Sequence, residues 1–280
     1  MIGDIDKKLL QKRFDASAGT YDKYAVVQKQ MTHRLIARMR RSSAWKRISH
    51  QPGAKVLEIG SGTGYLTSFL IKELPDADVT AVDLSSAMIG LARQKVAPNT
   101  VHFVTADIEE MVLCDRYDLI VSNATFQWFN DFEGTVHKLI SSLNTHGGMF
   151  FSTFAFGTFK ELSDAFAQAQ QRIGLSDLES FGPTFYHEEE CLAKLNHGLS
   201  SLAGRFSIEY EIYDDVQCFS SVMDFLTSVK KIGANNSNTG ALRIRPRLMR
   251  EMISIYDQSH RLDGKITATY RPLLVDIVRN

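Results

Sequence analysis

Short apolar runs alternate with amphipathic stretches through the first half of the chain. Five runs have the length and composition of buried strands: 55–60, 78–83, 101–107, 117–123 and 147–154. Stretches with helical spacing of apolar residues lie between them, near 64–73, 86–96 and 133–143. Strands that alternate with helices at this interval indicate βαβ units, so the pattern predicts an α/β fold built on a parallel sheet.

The remaining segments predict helices around this core and two late strands. Residues 4–48, 158–173, 187–195, 221–233 and 245–258 are expected to be helical, whereas 205–219 and 265–278 are each expected to form one strand. Pro272 interrupts the last of these, and proline within a sheet is confined to an edge, a strand start or a bulge. We therefore predict an N-terminal helical segment (1–50), a core (51–219 and 261–280) and a helical cap insertion (220–260).

Charge is balanced over the whole chain and uneven along it. Lys+Arg and Asp+Glu number 32 each in 280 residues, so no global field favours nucleic acid or acidic lipid, and neither is expected as a partner. Residues 23–57 and 225–250 nevertheless contain basic side chains and no Asp or Glu. Each stretch is either a solvated helix face or a docking site for an acidic partner.

Cysteine and histidine usage argues against a metal site. Cys114, Cys191 and Cys218 are widely spaced and form no CxxC pair, and the eight histidines do not cluster at ligand spacing. Three such thiols fit a reducing compartment. The first residues lack the apolar core of a signal peptide, and no stretch has the apolar length of a membrane span. A cytoplasmic protein is the expectation.

The glycine-rich segment VLEIGSGTGYLT, residues 56–67, carries the clearest functional signal. It places Glu58, Gly60, Gly62 and Gly64 where a buried strand turns into a helix. Glycines there permit a tight turn and a close ligand approach. Position 65 is tyrosine, so the spacing departs from the GxGxxG of dinucleotide-binding folds.

Two further acids strengthen that signal. Asp83 ends the second strand, nineteen residues beyond Gly64, where an acid can hold a ribose diol. Asp107 ends the third strand and can accept a hydrogen bond from an adenine amino group. Taken in order, the glycine loop and the two acids predict a nucleoside site at the strand ends.

This pattern resembles the class I S-adenosylmethionine-dependent methyltransferases over about residues 53–155. The resemblance implies a Rossmann-like, mostly parallel sheet of seven strands with helices on both faces. It also implies S-adenosylmethionine as the cofactor, with the N-terminal helices covering its site. The cofactor-binding residues implied by family resemblance are Tyr21, Gln28, Glu58, Gly60, Ser61, Gly62, Gly64, Asp83, Leu84, Met88, Asp107, Ile108 and Asn123.

Four other segments resemble the malonyl-[acyl-carrier-protein] O-methyltransferase family of biotin synthesis. They are FDASAGTYDKYAVVQ (14–28), SNATFQWF (122–129), GTFKEL (157–162) and VKKIGA (229–234), the last with Val229 in place of the family's leucine. This second resemblance spans nearly the whole chain. It implies methylation of the free carboxylate of a malonyl group carried by an acidic acyl carrier protein or by coenzyme A.

The loop SNATFQWF contains no side chain that ionises near neutral pH, which fits that chemistry. A carboxylate is already ionised at pH 7, so its oxygen can attack a sulfonium methyl without a base. Placement of the reacting atoms is then the main task of the protein. The candidate catalytic residues are Tyr21, Asn123, Gln127, Trp128 and Lys230.

Within this set, Trp128 and Tyr21 are expected to face or shield the sulfonium, and Asn123 and Gln127 to bind through their amides. Lys230 is the candidate for orienting the acceptor. For Phe126 and Trp128, core packing stays open as the alternative.

The carrier's docking face and the acceptor both stay open. Arg34, Arg38 and Arg41 share or neighbour one helix face, and Arg243–Arg250 offer a second basic surface. Alternative acceptors are a free small acid such as aconitate and an isoprenoid quinone precursor. A cofactor-binding regulator without catalysis is the alternative of a different class.

Overall fold

The computed structural model describes residues 4–97, 100–175, 184–234 and 246–280, which form ten strands, ten α-helices and one short 3₁₀ helix. The helices are α1 Lys7–Tyr24, α2 Val26–Met39, α3 Ser43–Ile48, α4 Tyr65–Glu73, α5 Ser86–Lys95, α6 Phe132–Ser141, α7 Lys160–Arg172, α8 Glu188–Ser200, α9 Val222–Lys231 and α10 Pro246–Ser259, with the 3₁₀ helix at Phe126–Trp128. The strands are β1 Lys55–Ile59, β2 Asp78–Asp83, β3 Val101–Thr105, β4 Tyr117–Asn123, β5 Leu143–Phe154, β6 Phe206–Ile212, β7 Asp215–Phe219, β8 Arg261–Leu262, β9 Lys265–Tyr270 and β10 Pro272–Arg279.

Seven strands form the main sheet in the order β3-β2-β1-β4-β5-β10-β6. The first five are parallel to one another, and β10 is antiparallel to both of its neighbours. The strand order reverses between β1 and β4, which is where open α/β sheets bind ligands. The predicted α/β, Rossmann-like, mostly parallel seven-stranded sheet is confirmed.

Helices cover both faces of this sheet, because its strands are apolar on both sides. On one face, α6 and α8 bury side chains such as Val136 and Leu195 against Leu57 and Phe151. On the other face, α2, α3 and α4 pack against Val56, Leu119 and Phe150. Near-continuous apolar runs are the expected signature of parallel strands buried on both faces.

The predictions of one strand over 205–219 and of one strand over 265–278 are both wrong, because each stretch bends and divides its residues between two sheets. Residues 206–212 pair with β10 in the main sheet, whereas residues 215–219 pair with β9 in a separate three-stranded sheet of order β7-β9-β8. The bend lies opposite Pro272, which begins β10 and accepts a hydrogen bond from the Tyr213 N–H at 3.2 Å. Proline cannot donate to the ladder, so a strand start is a position that tolerates it.

The small sheet supports the helices α7, α9 and α10. Their buried side chains, including Phe166, Phe225 and Tyr256, form one apolar cluster with Ile266 and Tyr270 of β9. The sequence predicted these helices, although not the small sheet on which they rest. The division into N-terminal segment, core and cap stays a prediction. In the described ranges, none of the helices combines the length and apolar content needed to cross a membrane.

Candidate active site

A cleft opens at the carboxyl ends of the parallel strands, beneath α1. The space inside it, counted together with the part open to solvent, is about 660 Å³. We call it the edge cleft. Its lining residues are Lys7, Leu10, Phe14, Tyr21, Ile59, Gly60, Gly62, Val82, Asp83, Leu84, Met88, Ala106, Asp107, Ile108, Asn123, Ala124, Thr125, Trp128 and Phe129.

The glycine loop bends sharply because its three glycines all have positive φ, at +68° for Gly60, +53° for Gly62 and +82° for Gly64. A Cβ on Gly60 would lie 2.0 Å from Oγ1 of Thr125, and one on Gly64 would lie 3.0 Å from Cβ of Ala92. A Cβ on Gly62 would meet open space. Gly60 and Gly62 therefore keep the cleft open, whereas Gly64 packs against α5 and does not line the cleft.

The predicted acids Asp83 and Asp107 both line the edge cleft. Asp83 accepts hydrogen bonds from the backbone N–H of Gly62 at 2.7 Å and of Ser85 at 2.8 Å. Burial raises the pKa of Asp83 to about 6, although these two donors oppose the rise. Each Asp83 oxygen keeps a lone pair with which it can accept a bond from a diol.

Lys7 closes the edge cleft from the N-terminal helix, and the sequence analysis missed it. Its Nζ lies 3.5 Å from Oδ2 of Asp107, pairs with the carboxylate of Glu109, and donates to the carbonyl oxygen of Trp128 at 2.9 Å. These partners are about a hundred residues away in sequence, so no local pattern reveals them.

Two acids of α1, each accepting two hydrogen bonds, fix this helix over the site. Oδ1 of Asp15 accepts from the Ser85 hydroxyl at 2.5 Å and from the Ala87 N–H at 3.2 Å. Asp22 accepts from the Thr63 hydroxyl at 2.5 Å and from Lys95, also at 2.5 Å. Although burial alone would raise the pKa of Asp22, these donors lower it overall.

A second space, the inner cleft, adjoins the glycine loop below α2. Its lining residues are Tyr21, Asp22, Ala25, Gln28, Lys29, Thr32, Glu58, Gly60, Ser61, Gly62, Thr63, Tyr65, Leu66 and Asn123. Glu58 and Ser61 are buried there, and neither the Glu58 carboxyl oxygens nor the Ser61 hydroxyl makes a hydrogen bond of good geometry among the described residues. The hydroxyl and backbone N–H of Thr67 nevertheless lie close enough to Glu58 to oppose the rise that burial gives its pKa. Unsatisfied buried polar atoms are rare in folded proteins, so this pair points to a polar or cationic ligand group.

The unpartnered carboxyl of Glu58 makes the stability of the ligand-free protein depend on pH. Burial raises its pKa from an ordinary 4.5 to about 8; the nearby Thr67 donors oppose this rise, and the Asp83 charge adds to it. Between these values the folded protein holds a proton that the unfolded chain has lost, so the free energy of unfolding falls as pH rises. We expect Glu58→Gln to raise the free energy of unfolding at pH 8 by on the order of 2 kcal/mol, and to change it little at pH 5. Urea unfolding of the ligand-free wild type and variant at both pH values measures this, and an equal difference at pH 5 and pH 8 contradicts it.

A third space, the apolar cleft, also has Tyr21 in its lining and holds about 450 Å³ of space, counted together with the part open to solvent. Its lining residues are Phe14, Tyr21, Gln28, Ala124, Gln127, Trp128, Phe154, Thr158, Phe159, Phe185, Ile232, Ala234 and Tyr270. No Asp, Glu, His, Lys, Arg or Cys of the described ranges is among them. Four of its lining residues, Phe14, Tyr21, Ala124 and Trp128, also line the edge cleft, so the two spaces adjoin.

Among the described residues, Tyr21 is the one that lines all three clefts. Burial raises the pKa of its hydroxyl, and the negative charges of Asp83 and Asp22 raise it further. The hydroxyl therefore keeps its proton near neutral pH and can donate a hydrogen bond.

The amides of Asn123 and Gln127 hold the loop in place. Asn123 donates through Nδ2 to the carbonyl oxygen of Gln28 at 3.0 Å and accepts from the Ser152 hydroxyl at 2.7 Å. Gln127 donates through Nε2 to the carbonyl oxygen of Ala124 at 2.7 Å and accepts from the Thr153 hydroxyl at 3.1 Å. Each NH₂ group retains one N–H without a partner in the described ranges, and that hydrogen is available to a ligand.

The two aromatic residues of the loop have different surroundings. Phe126 is 1% exposed and stacks on Phe151 with ring centroids 4.1 Å apart, so it packs in the core. Trp128 is 7% exposed, meets Phe14 edge-on at 5.8 Å, and lines both the edge and apolar clefts.

The structure thus brings together every residue of the two predicted sets except Gly64 and Lys230. Lys230 is exposed and lines none of the three clefts; the residues that reach the apolar cleft from that segment are Ile232 and Ala234. The sequence did not indicate several other lining residues of the apolar cleft, such as Phe154, Phe159 and Tyr270. They lie at strand ends and helix starts, where an apolar side chain predicts only packing in the core.

The comparison with known proteins agrees with this geometry. A family model described as a methyltransferase domain matches residues 56–147. The malonyl-[acyl-carrier protein] O-methyltransferase of Priestia megaterium is 43% identical over 276 residues, covering 98% of each chain. The chain belongs to the malonyl-[acyl-carrier protein] O-methyltransferase family. The member from Acetivibrio thermocellus is 39% identical over 278 residues, covering 97% of this chain and 93% of that one.

Solved structures support the same fold at low identity. The YcgJ protein from Bacillus subtilis has a TM-score of 0.58 at 14% identity, covering 89% of this chain and 98% of that one. The plantazolicin methyltransferase BpumL, solved in complex with a pentazolic desmethylPZN analog and S-adenosylhomocysteine, has a TM-score of 0.51 at 15% identity, covering 98% of each chain. In the described ranges of this chain, no three His, Cys, Asp or Glu side chains are placed to hold a metal ion.

Proposed function

We propose that this protein transfers a methyl group from S-adenosylmethionine to the free carboxylate of a malonyl thioester carried by an acyl carrier protein, giving its methyl ester. The observation that carries the proposal is the apolar cleft, which adjoins the edge cleft and is lined by no acid, histidine, lysine or cysteine of the described ranges. A family relative at 43% identity over nearly the full length bears the corresponding name. Entry of the methyl ester into biotin synthesis is part of the same proposal.

The residues of the edge and inner clefts fit the cofactor. Asp83 would hold the ribose, and Asp107 with Ile108 would hold the adenine. Leu84 and Met88 would form the apolar walls around them. The unpartnered carboxyl of Glu58 would attract the ammonium group of the methionine part, through the open space beside Gly62. S-adenosylmethionine, when bound, supplies a methyl group made electrophilic by its sulfonium.

The apolar cleft suits an acceptor that arrives already ionised. Malonyl carboxylate is an anion at pH 7, so its attack requires no proton transfer to the protein. The neutral hydroxyl of Tyr21 and the free N–H of Gln127 would orient it through single hydrogen bonds. A bidentate arginine clamp would instead stabilise the ground state and slow the attack.

Other acceptors fit this cleft less well. Methylation of a phenol or a carbon acid calls for a base, and the lining offers only tyrosines whose pKa is raised by burial. A small polycarboxylate such as aconitate would bury additional charges in a cleft lined by no cation of the described ranges, which is costly.

The carrier protein is proposed to be acidic, and the reaction is proposed to take place in the cytoplasm. All three cysteines are unpaired, with Cys114 and Cys218 exposed, which is consistent with a reducing compartment.

Mass spectrometry after incubation with S-adenosylmethionine tests the acceptor. We expect one methyl mass gain on malonyl-loaded acyl carrier protein and on malonyl-pantetheine, and none on free malonate or aconitate. Alkaline hydrolysis should remove the added methyl group, since the product is an ester. Methylation of aconitate alone, or of none of these acceptors while the cofactor still binds, contradicts the proposal.

A further inference from the structure

Acidic and basic side chains of α1 lie on different faces of the helix. Its acids Asp15 and Asp22, seven residues apart, point towards α5 and the glycine loop, where Ser85, Lys95 and Thr63 bind them. Lys12, Ala16, Gly19 and Lys23 follow the i, i+4, i+7, i+11 spacing of a single helix stripe, and all four are exposed. The outward stripe of α1 is therefore basic, with small residues between its two lysines.

The end of α9 extends this basic stripe. The hydroxyl of Thr20 donates to the carbonyl oxygen of Lys231 at 2.8 Å, and that of Ser17 donates to the carbonyl oxygen of Lys230 at 3.3 Å. Lys230 and Lys231 are both exposed, so their ammonium groups project from a backbone that is fixed against α1. We call Lys12, Lys23, Lys230 and Lys231 the α1–α9 basic face.

The charges of this face are uncompensated. None of its four ammonium groups lies within 4.0 Å of a carboxylate in the described ranges. The sequence from 225 to 250, which includes the end of α9, contains no Asp or Glu at all. A cluster of this kind attracts an anionic partner and raises its association rate.

The other basic stretch is mostly neutralised within the protein itself. Arg38 donates to both oxygens of Asp276 at 3.0 and 2.9 Å, and Arg34 pairs with Glu211 at 2.9 Å. Of the exposed basic residues in that stretch without an ion pair in the described ranges, Lys23 belongs to the α1–α9 basic face, whereas Arg41 and Lys46 lie at the opposite edge of the sheet from the clefts.

The position of Arg41 and Lys46 follows from the strands. The neighbouring Arg47 pairs with Asp118 near the start of β4, whereas Asn123 at the end of β4 lines the clefts. Five residues of strand separate these two positions by about 17 Å. By contrast, Ile232 and Ala234 directly follow Lys230 and Lys231 and line the apolar cleft, as do Phe14 and Tyr21 on the inner side of α1.

We propose that the α1–α9 basic face is the docking surface for the acidic acyl carrier protein, with the carrier's thioester arm entering the adjoining apolar cleft. This inference rests on the proposed function. Charge complementarity brings the carrier to the face, and the apolar cleft accepts the uncharged part of the arm. The face therefore contributes to substrate association and not to the methyl transfer itself.

Paired charge reversals test this surface. We expect Lys23→Glu with Lys231→Glu to lower kcat/KM for malonyl-loaded carrier protein by about tenfold or more, mainly through KM, and to change kcat/KM for malonyl-pantetheine by less than about twofold. The matched control is Arg41→Glu with Lys46→Glu, which introduces the same charge change at the opposite edge. It should leave kcat/KM unchanged for both substrates. Added salt should weaken the wild type's preference for the carrier and leave that of the Lys23/Lys231 variant largely unchanged.

The results distinguish a wrong docking surface from a wrong proposed function. If the control pair lowers carrier methylation as much as the Lys23/Lys231 pair does, or if neither pair lowers it, the docking surface is wrong although the proposed function stands. If the wild type methylates neither malonyl-pantetheine nor malonyl-carrier, the proposed function fails first. If kcat/KM of the Lys23/Lys231 variant falls equally for both substrates while thermal unfolding is unchanged, these lysines act in the methyl transfer step and the inference is overturned.

Discussion

Replacing Gly60 by alanine is expected to lower the affinity for S-adenosylmethionine at least a hundredfold, or to prevent stable folding. The new Cβ would lie 2.0 Å from Oγ1 and 2.8 Å from Cγ2 of Thr125, at a φ of +68° that disfavours any side chain. Strain of about 1–2 kcal/mol and overpacking of about 1–3 kcal/mol would add, which corresponds to a stability loss of about 2–5 kcal/mol. Calorimetric titration with the cofactor and thermal unfolding measure the two effects.

Two variants separate the clash from the strain. Gly53→Ala has nearly the same φ, +71°, but its Cβ meets no atom within 4 Å and lies in the turn before β1. It should cost about 1 kcal/mol of stability and leave cofactor affinity intact. Combining Gly60→Ala with Thr125→Gly removes the atoms that clash and should recover part of the affinity. If Gly53→Ala and Gly60→Ala behave alike, steric conflict with the loop after β4 is not the reason for the glycine.

Replacing Trp128 by alanine is expected to lower turnover of a malonyl thioester about a hundredfold or more, beyond any loss of folded protein. Trp128 lines both the edge cleft and the apolar cleft and packs on Phe14 of α1. Its removal would open the reacting region to water and loosen the placement of the two reactants, which is the main source of rate in this mechanism. A stability loss of about 3–5 kcal/mol should accompany it, as for other buried aromatic residues.

The second tryptophan of the chain provides the control. Trp45 of α3 is buried to nearly the same degree, 6% exposed against 7%, and packs at the opposite edge of the sheet. Trp45→Ala should lower stability by a similar amount and leave kcat per folded molecule unchanged. Steady-state kinetics at a temperature where both variants are folded, checked by circular dichroism, measures the difference. Equal kcat losses would mean that Trp128 acts through stability alone.

The main sheet could be predicted because its strands carry their signal locally. An apolar run such as 117–123 is buried on both faces, so its composition alone indicates a parallel strand. The order of Glu58, Asp83 and Asp107 along the chain then places them at one edge, since parallel strands end together. The fold class followed from these two observations.

The rest of the site depends on partners distant in sequence. The bend at Tyr213 is opposite Pro272, and the alternation of 205–219 gives no hint of a change of sheet. Likewise the amides of Asn123 and Gln127 bind Gln28, Ser152 and Thr153, which the loop sequence does not indicate. Lys230 belongs to a recognisable segment, but the end of α9 exposes Lys230 and Lys231, and the residues that reach the apolar cleft are Ile232 and Ala234.

The lining residues of the three clefts come from different parts of the chain, and this has a consequence for engineering the enzyme. Among the described residues, those that line the edge and inner clefts all lie between Lys7 and Phe129. The apolar cleft adds side chains from residues 154 to 270 to walls shared with the other two. Recombination of chains at a point after Phe129 would therefore exchange acceptor preference while retaining the cofactor site, which makes the second half of the chain the natural place to diversify a library of methyl ester-forming catalysts.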